Sequence, residues 1–387
     1  MMKTPVVVIG TDHQNTLAVL RCLGKNECTY QTVICGSSKH ISKSKYCKNL
    51  TCIDDSETSI YDYLKKFNGD GYKHVLFPCS DRAMYVIDKH AKELEELFYI
   101  PGFKNNHGFV TELMDKYKQA KFCEENGIRT PKTWSVSLNH PDFPETCTFP
   151  CIIKPEISAN GRKADIKIVN SIDEFKSAVE LYLVAGYSEF VVQPYLKKIC
   201  EGVFFGVVLS NENKKCIGNI LKRVTEWPVG TGSTACGVTI ADLRFQDFNN
   251  NVISVLRNHG FCGMIDIEYL LCEEGIYLNE INFRHSGNGY LHTQLNVPLP
   301  LMCCADLAGE ECDSVKALPE GKVAVQELCD AYNWMSGRIS FKEYRRHMRE
   351  ASALALWDKQ DKKVALSYYR ATWKSFVGLL LRRMKLK

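Results

Sequence analysis

The sequence predicts an α/β unit on a parallel sheet, then a hairpin-rich α+β unit, then a helical, basic C-terminal tail. Three patterns carry this: strands and helices alternate to about residue 110, paired strands dominate as far as 282, and helical periodicity with basic residues closes the chain. Its 387 residues suffice for two or three domains, and 45% hydrophobic content is enough to build cores.

In order, residues 6–9 form a buried-type strand, 15–23 a helix, 32–35 and 75–77 further strands, and 83–98 a helix ending before Pro101. After the first strand, Gly10-Thr-Asp-His-Gln-Asn15 lacks the spaced glycines of a dinucleotide-binding turn. Pro78-Cys-Ser-Asp81 opens a helix, and Ser80 and Asp81 read as N-caps ahead of a substrate contact.

A second unit begins near Asp115, where 116–126 is a helix stopped by Gly127. The run 149–155 sets Lys154 at the end of a buried strand, where an ammonium needs an anionic partner. The polar loop 156–163, with Gly161, and a returning strand at 166–169 follow. Its backbone N–H groups suit a polyphosphate, and the same loop also reads as an ordinary hairpin. Residues 189–196 run from strand to connector, and 202–209 form a strand. Lys222-Arg223 lies on a strand before the loop 227–235, whose Gly230 and Gly232 allow close backbone approach to a ligand. A helix at 248–259 leads to two strands, 263–271 and 275–282, joined through Cys272-Glu-Glu-Gly275.

That hairpin holds the densest chemistry. Glu280 and Asn282 lie two apart and so share a face of the pleat, and in-register pairing brings Glu268 beside them. Three hard oxygen donors suit Mg²⁺, with Arg284 placed to neutralise phosphate. A solvated hairpin face is the alternative.

Eighteen cysteines without a Cys-x-x-Cys pair or a zinc-like spacing predict packed free thiols and a reducing, cytoplasmic setting. The apolar run at residues 5–10 is too short for a signal-peptide core, and no stretch is long enough to span a bilayer. Residues 361–387 carry eight basic side chains against one acid, a local +7. The net charge of +4 leaves −3 for the rest, so no nucleic-acid partner is expected.

Taken together, Asp115-Lys116, Ile153-Lys154-Pro155, Val192-Gln193-Pro194-Tyr195, Gly202-Val-Phe-Phe205, Lys222-Arg223 and Glu268…Glu280-Ile-Asn-Phe-Arg284 resemble the ATP-grasp superfamily in order and spacing. The acid pair twelve apart looks like the biotin carboxylase and carbamoyl phosphate synthetase arrangement. The segments 78–81 and 284–300 are most similar to stand-alone carboxylate–amine ligases, among them D-aspartate ligases. The resemblance implies an α/β domain at 1–112 and an ATP-grasp domain at 113–310, with a small subdomain to about 192 and a large one from 193. A helical extension, 311–387, follows.

It further implies ATP as substrate, with Lys116 and Lys154 on its phosphates under a closing loop around Gly161. Gln193, Pro194, Tyr195 and Leu196 would face adenine through their backbone and Glu201 the ribose. Glu268, Glu280 and Asn282 would hold two Mg²⁺ ions, or Mn²⁺, while Arg284 and Arg223 stabilise the transferring phosphoryl group. Gln193 stands where many relatives have Glu, and the phosphate loop is poorer in glycine than that of biotin carboxylase. The chemistry implied is a carboxylate activated as an acyl phosphate and captured by an amine, either substrate being a small molecule or linked to a cell-surface polymer or peptide precursor. His285 and His292 read as structural polar residues or as bases for the amine. Relatives of this kind are often dimers.

Two rivals remain beside the ligase: a bicarbonate-phosphorylating enzyme, and a non-catalytic nucleotide-binding module. Helices are expected at 341–355 and 364–384. The second either docks on the body or lies on the inner face of a membrane, its aromatics in the interface and its Lys and Arg on anionic lipid.

Overall fold

A computed structural model describes residues 2–67, 71–156, 165–210, 216–230, 232–313 and 315–385. The first unit runs β1 (Val6–Gly10), α1 (Gln14–Lys25), β2 (Tyr30–Cys35), β3 (Leu50–Ile53), α2 (Glu57–Lys65), β4 (His74–Pro78), α3 (Asp81–Lys89), α4 (Ala91–Leu94), β5 (Phe98–Tyr99) and β6 (Gly102–Phe103). Strands β1 to β5 form a parallel sheet in the order β3-β2-β1-β4-β5. Helices cover both faces, which is why β1 and β4 are buried along their length and apolar but for His74 at the start of β4. The helix expected at 83–98 is instead α3, the single turn α4 and the edge strand β5. Phe98 enters the core there as a strand residue.

The second unit comprises α5 (Phe109–Leu113), α6 (Lys116–Glu125), β7 (Trp134–Ser137), β8 (Cys151–Pro155), β9 (Lys167–Val169), α7 (Ile172–Val184) and β10 (Glu189–Pro194). Its antiparallel sheet, β7-β10-β8-β9, packs on α7 through Phe175, Tyr182 and Phe190. Asp115 caps α6 by accepting from the Tyr117 and Lys118 N–H groups, and this fixes Lys116 as the first helical residue.

The remainder is β11 (Cys200–Val208), β12 (Cys216–Trp227), β13 (Ser233–Ile240), α8 (Leu243–Asn258), β14 (Phe261–Cys272), β15 (Gly275–Asn282), α9 (Tyr290–Gln294), α10 (Leu299–Ala308), β16 (Val323–Val325), α11 (Glu327–Met335), α12 (Phe341–Glu350), β17 (Ala351–Leu354) and α13 (Lys362–Lys385). A large sheet runs β15-β14-β11-β12-β13-β16-β17, and β6 from the first unit pairs with β14. The segment expected as one helix over 341–355 is α12, closed by a capping box of Ser340 and Glu343, followed by strand β17. Strands β16 and β17 thus extend the large sheet where helices alone were expected.

The first turns of α13 dock on the body. Arg21, 1% exposed, donates Nε to Asp361 at 3.0 Å and Nη2 to the Leu356 carbonyl at 2.8 Å. Tyr368 donates its hydroxyl to the Asp12 carbonyl and stacks on His40. Among the described residues no helix is long and apolar enough to cross a membrane. All eighteen cysteines are free thiols, as expected.

Candidate active site

A cleft of about 620 Å³ opens between the four-stranded sheet, the β14–β15 hairpin and the first unit. In the hairpin, Glu268 stands opposite Glu280 and Asp266 opposite Asn282, so the expected face forms. Asp266, two residues before Glu268 on the same face, adds a carboxylate that sequence reasoning missed although the same period-2 rule reaches it. It is 4% exposed, and its pKa is pushed up to about 6, first by burial and then by Glu268, against Arg284.

A β-bulge follows Glu268, because Tyr269 pairs with Leu278 and leaves Asn279 as the extra residue. Asn279 therefore lines the cleft next to Glu280 instead of pointing away from it. Its Nδ2 donates to Glu268 Oε2 at 3.3 Å, and its Oδ1 accepts from Lys154 Nζ at 3.2 Å. No sequence pattern marked it.

Each acid of the pair is held by a cation. Lys116 Nζ lies 3.5 Å from Glu280 Oε1, and Arg223 Nη2 lies 3.3 Å from Glu268 Oε1. Arg223 also pairs with Glu201, with Glu226 at 3.3 Å and with the Thr234 hydroxyl at 3.1 Å. Burial works against its charge, but Glu268, Glu201 and Glu226 outweigh it and raise its pKa. Lys154 is 8% exposed, and burial lowers its ammonium pKa despite Glu280 and Glu268 nearby. Lys116, Lys154, Lys198, Arg223 and Arg284 face Asp81, Glu201, Asp266, Glu268 and Glu280 across the cleft. Among the described residues that line the cleft, five cations thus stand with five acids, and Glu280 or Glu268 turned to a metal frees Lys116 or Arg223 for phosphate.

Arg284 departs from expectation. Its Nε and Nη2 donate to the two oxygens of Asp81 at 2.8 and 3.1 Å, and Nη2 lies 3.5 Å from Asn282 Oδ1. Ser80 alone caps α3, accepting from the Ala83 N–H, so Asp81 is not the cap it was read as.

The expected adenine connector forms one end of the cleft, with Gln193, Pro194, Tyr195 and Leu196 near Ile152 and Leu270. Gln193 donates one of its side-chain N–H groups to the Thr133 hydroxyl at 2.8 Å, and the Tyr195 N–H donates to the Pro150 carbonyl at 3.0 Å. Glu201 is clamped between Lys198 and Arg223. Gly161 and most of its loop lie outside the described residues.

The far wall was largely missed. Gln14 and Asn15 at the start of α1, Ser286, Asn288, Gln326 and Tyr368 all line the cleft, and they come from four distant stretches of chain. His285 and His292 are fully buried, and burial pushes both pKa values down to about 3, which holds the imidazoles neutral in the core.

The donor set fits Mg²⁺. Two in-register carboxylates and an amide supply hard oxygens while leaving positions for phosphate and water. Among the described residues no three His, Cys, Asp or Glu side chains close into a cage.

No family model matches the chain. It is 23% identical over 306 residues to a carbamoyl-phosphate synthase of Methanobrevibacter smithii, covering 76% of this chain and 66% of that one. It is 24% identical over 203 residues to the carbamoyl phosphate synthase large chain of Saccharolobus solfataricus, covering 51% and 19%. The chain therefore spans less than two thirds of the length of these relatives. Among solved structures, N5-carboxyaminoimidazole synthase from Aspergillus clavatus, in complex with ADP and its ribonucleotide, matches with a TM-score of 0.62 at 14% identity, over 81% of this chain and 79% of that one. The L-amino acid ligase from Bacillus licheniformis matches at 0.59 and 14%, over 79% and 75%. The biotin carboxylase domain of Hydrogenobacter thermophilus 2-oxoglutarate carboxylase, a dimer with MgADP and bicarbonate, matches at 0.62 and 15%, over 84% and 74%. At these identities the likeness is one of fold.

Proposed function

We propose that this chain, ATP-grasp in fold, is an ATP-dependent ligase that activates a carboxylate as an acyl phosphate and couples it to an amine. The observation that carries the reading is the in-register pair Glu268–Glu280, with Lys116, Lys154 and Arg223 converging on one cleft.

Lys116 and Lys154 bind the ATP phosphates, and the connector 193–196 holds adenine. Glu268, Glu280 and Asn282, with Asp266 beneath, would hold Mg²⁺, as two ions or with Mn²⁺ in its place, to neutralise charge on the β- and γ-phosphates. The carboxylate attacks the γ-phosphorus and ADP leaves. Arg223 and Arg284 then neutralise the acyl phosphate until the amine displaces inorganic phosphate from its carbonyl carbon. This catalysis is positioning and charge neutralisation, so it demands no nucleophilic side chain.

ADP release measured across paired carboxylates and amines, with mass spectrometry of the product, tests the reading. Release that depends on both substrates supports it, whereas release with bicarbonate alone favours the second reading, which the carbamoyl-phosphate synthase relatives motivate. The buried free thiols support a cytoplasmic setting, and a homodimer is part of the proposal.

A substrate carried on a cell-surface polymer or peptide precursor would suit attachment of the distal part of α13 to the inner face of a membrane. Because the first turns of α13 pack on the body, the fair test is a chain ending at Trp373. Lost co-sedimentation with anionic liposomes supports attachment, and absence of binding by the full chain sinks it.

A further inference from the structure

We propose that Asp81 is the receptor for the amine substrate: it binds the ammonium and takes its proton as the acyl phosphate is captured. This rests on the ligase reading above.

Asp81 does not cap its helix, since Ser80 does, and it stands in the first turn as an acid beside the helix N-terminus. Among the described residues its polar partner is Arg284, reached across two domains by a bidentate pair. The same guanidinium touches Asn282 at the metal end of the cleft, so Arg284 stands between the acid of the first unit and the position of the transferring phosphate. Side-chain exposure is 16% for Arg284 and 30% for Asp81, so the pair is only partly hydrated.

Charge accounting then sets the order of events. When Arg284 turns to the anionic acyl phosphate, Asp81 loses its counter-ion in a partly dry cleft, which is costly. An incoming ammonium restores the balance. Among the described residues, the rest of this wall is made by the neutral amides Gln14, Asn15, Asn288 and Gln326. His285 and His292 are sealed in the core. His13 also lines the cleft, with its Nδ1 accepting from the Asn15 N–H at 3.3 Å.

In the step itself, one ammonium proton passes to the Asp81 carboxylate, the freed nitrogen lone pair forms the C–N bond, and the second proton that nitrogen sheds is taken by the departing phosphate. The carbonyl carbon's bond to the phosphate oxygen breaks, its electron pair leaving on inorganic phosphate. Asp81 then returns its proton to solvent.

Hydroxylamine separates the two half-reactions, since it is small and largely uncharged at neutral pH and traps acyl phosphate without a receptor. Wild type, Asp81→Asn, Asp81→Glu and His13→Gln are given MgATP, a panel of amino acids and simple carboxylates, and either hydroxylamine or the amine panel. Asp81→Asn should lower the ratio of amide to hydroxamate by about 100-fold, the scale of a general base, raising KM for the amine, with partial rescue in Asp81→Glu. An equal fall in both products would mean that Asp81 serves only to hold Arg284, and would overturn the inference. So would an unchanged ratio, or a selective loss in His13→Gln instead. Absence of hydroxamate from wild type with every carboxylate would overturn the ligase reading itself.

Discussion

The Lys154→Met substitution removes one buried charge while keeping most of the side-chain volume. Burial already lowers the Lys154 pKa against the pull of Glu280 and Glu268. A base whose folded-state pKa is depressed makes the fold less stable as pH falls and the side chain takes up its charge. Methionine relieves that cost, and Glu280 keeps Lys116 as its partner. Because burial outweighs the neighbouring acids in setting the Lys154 pKa, removing the charge should leave the nucleotide-free variant melting at or above the wild-type temperature. Binding should move the other way. A unit charge about 4 Å from a phosphate oxygen, at an effective dielectric constant of about 20, contributes about 4 kcal/mol, or roughly a thousandfold. Titration calorimetry with MgATP should show Kd raised by about 100- to 1000-fold. A variant that melts several degrees lower yet binds MgATP normally would refute the reasoning and make Lys154 a structural cation.

Glu280→Gln should abolish ADP release with an unchanged melting temperature, and normal turnover would remove Glu280 from the metal site. Asp266 has its pKa raised from an ordinary 3.8 to about 6, so its stability contribution is present below about pH 4 and lost as pH rises through 6. At about 1.4 kcal/mol per pH unit this is on the order of 3 kcal/mol, and denaturant titrations should show Asp266→Asn gaining on wild type by about that much between pH 4 and pH 7. A constant difference across that range would contradict the assignment. Asp361→Ala strands Arg21 as a buried unpaired cation and should cost about 3–5 kcal/mol, read from urea midpoints.

The parts of the site legible in the sequence are those governed by local rules. Period-2 geometry placed Glu280 with Asn282, and the cost of burying an ammonium singled out Lys154. Asn279 escaped because a bulge reverses the pleat without a sequence mark. Asp81 escaped because a Ser-Asp pair at a helix start satisfies the capping rule whichever residue caps, and only the tertiary pairing with Arg284 distinguishes them. Strands β16 and β17, three and four residues long, are strands by virtue of partners far away in the chain, so local periodicity had nothing to report. The far wall followed them into obscurity, since Gln326 and Tyr368 reach the cleft only through that late addition to the sheet and the docking of α13.

The central claim is acyl phosphate formation in the cleft floored by Glu268 and Glu280. It is tested most directly by supplying MgATP, an amine panel and carboxylates labelled with ¹⁸O, then measuring the isotope in the phosphate released. One labelled oxygen per inorganic phosphate, lost in Glu280→Gln, is the predicted result. ADP release with unlabelled phosphate would mean that water and not a carboxylate attacks ATP, and would contradict the account.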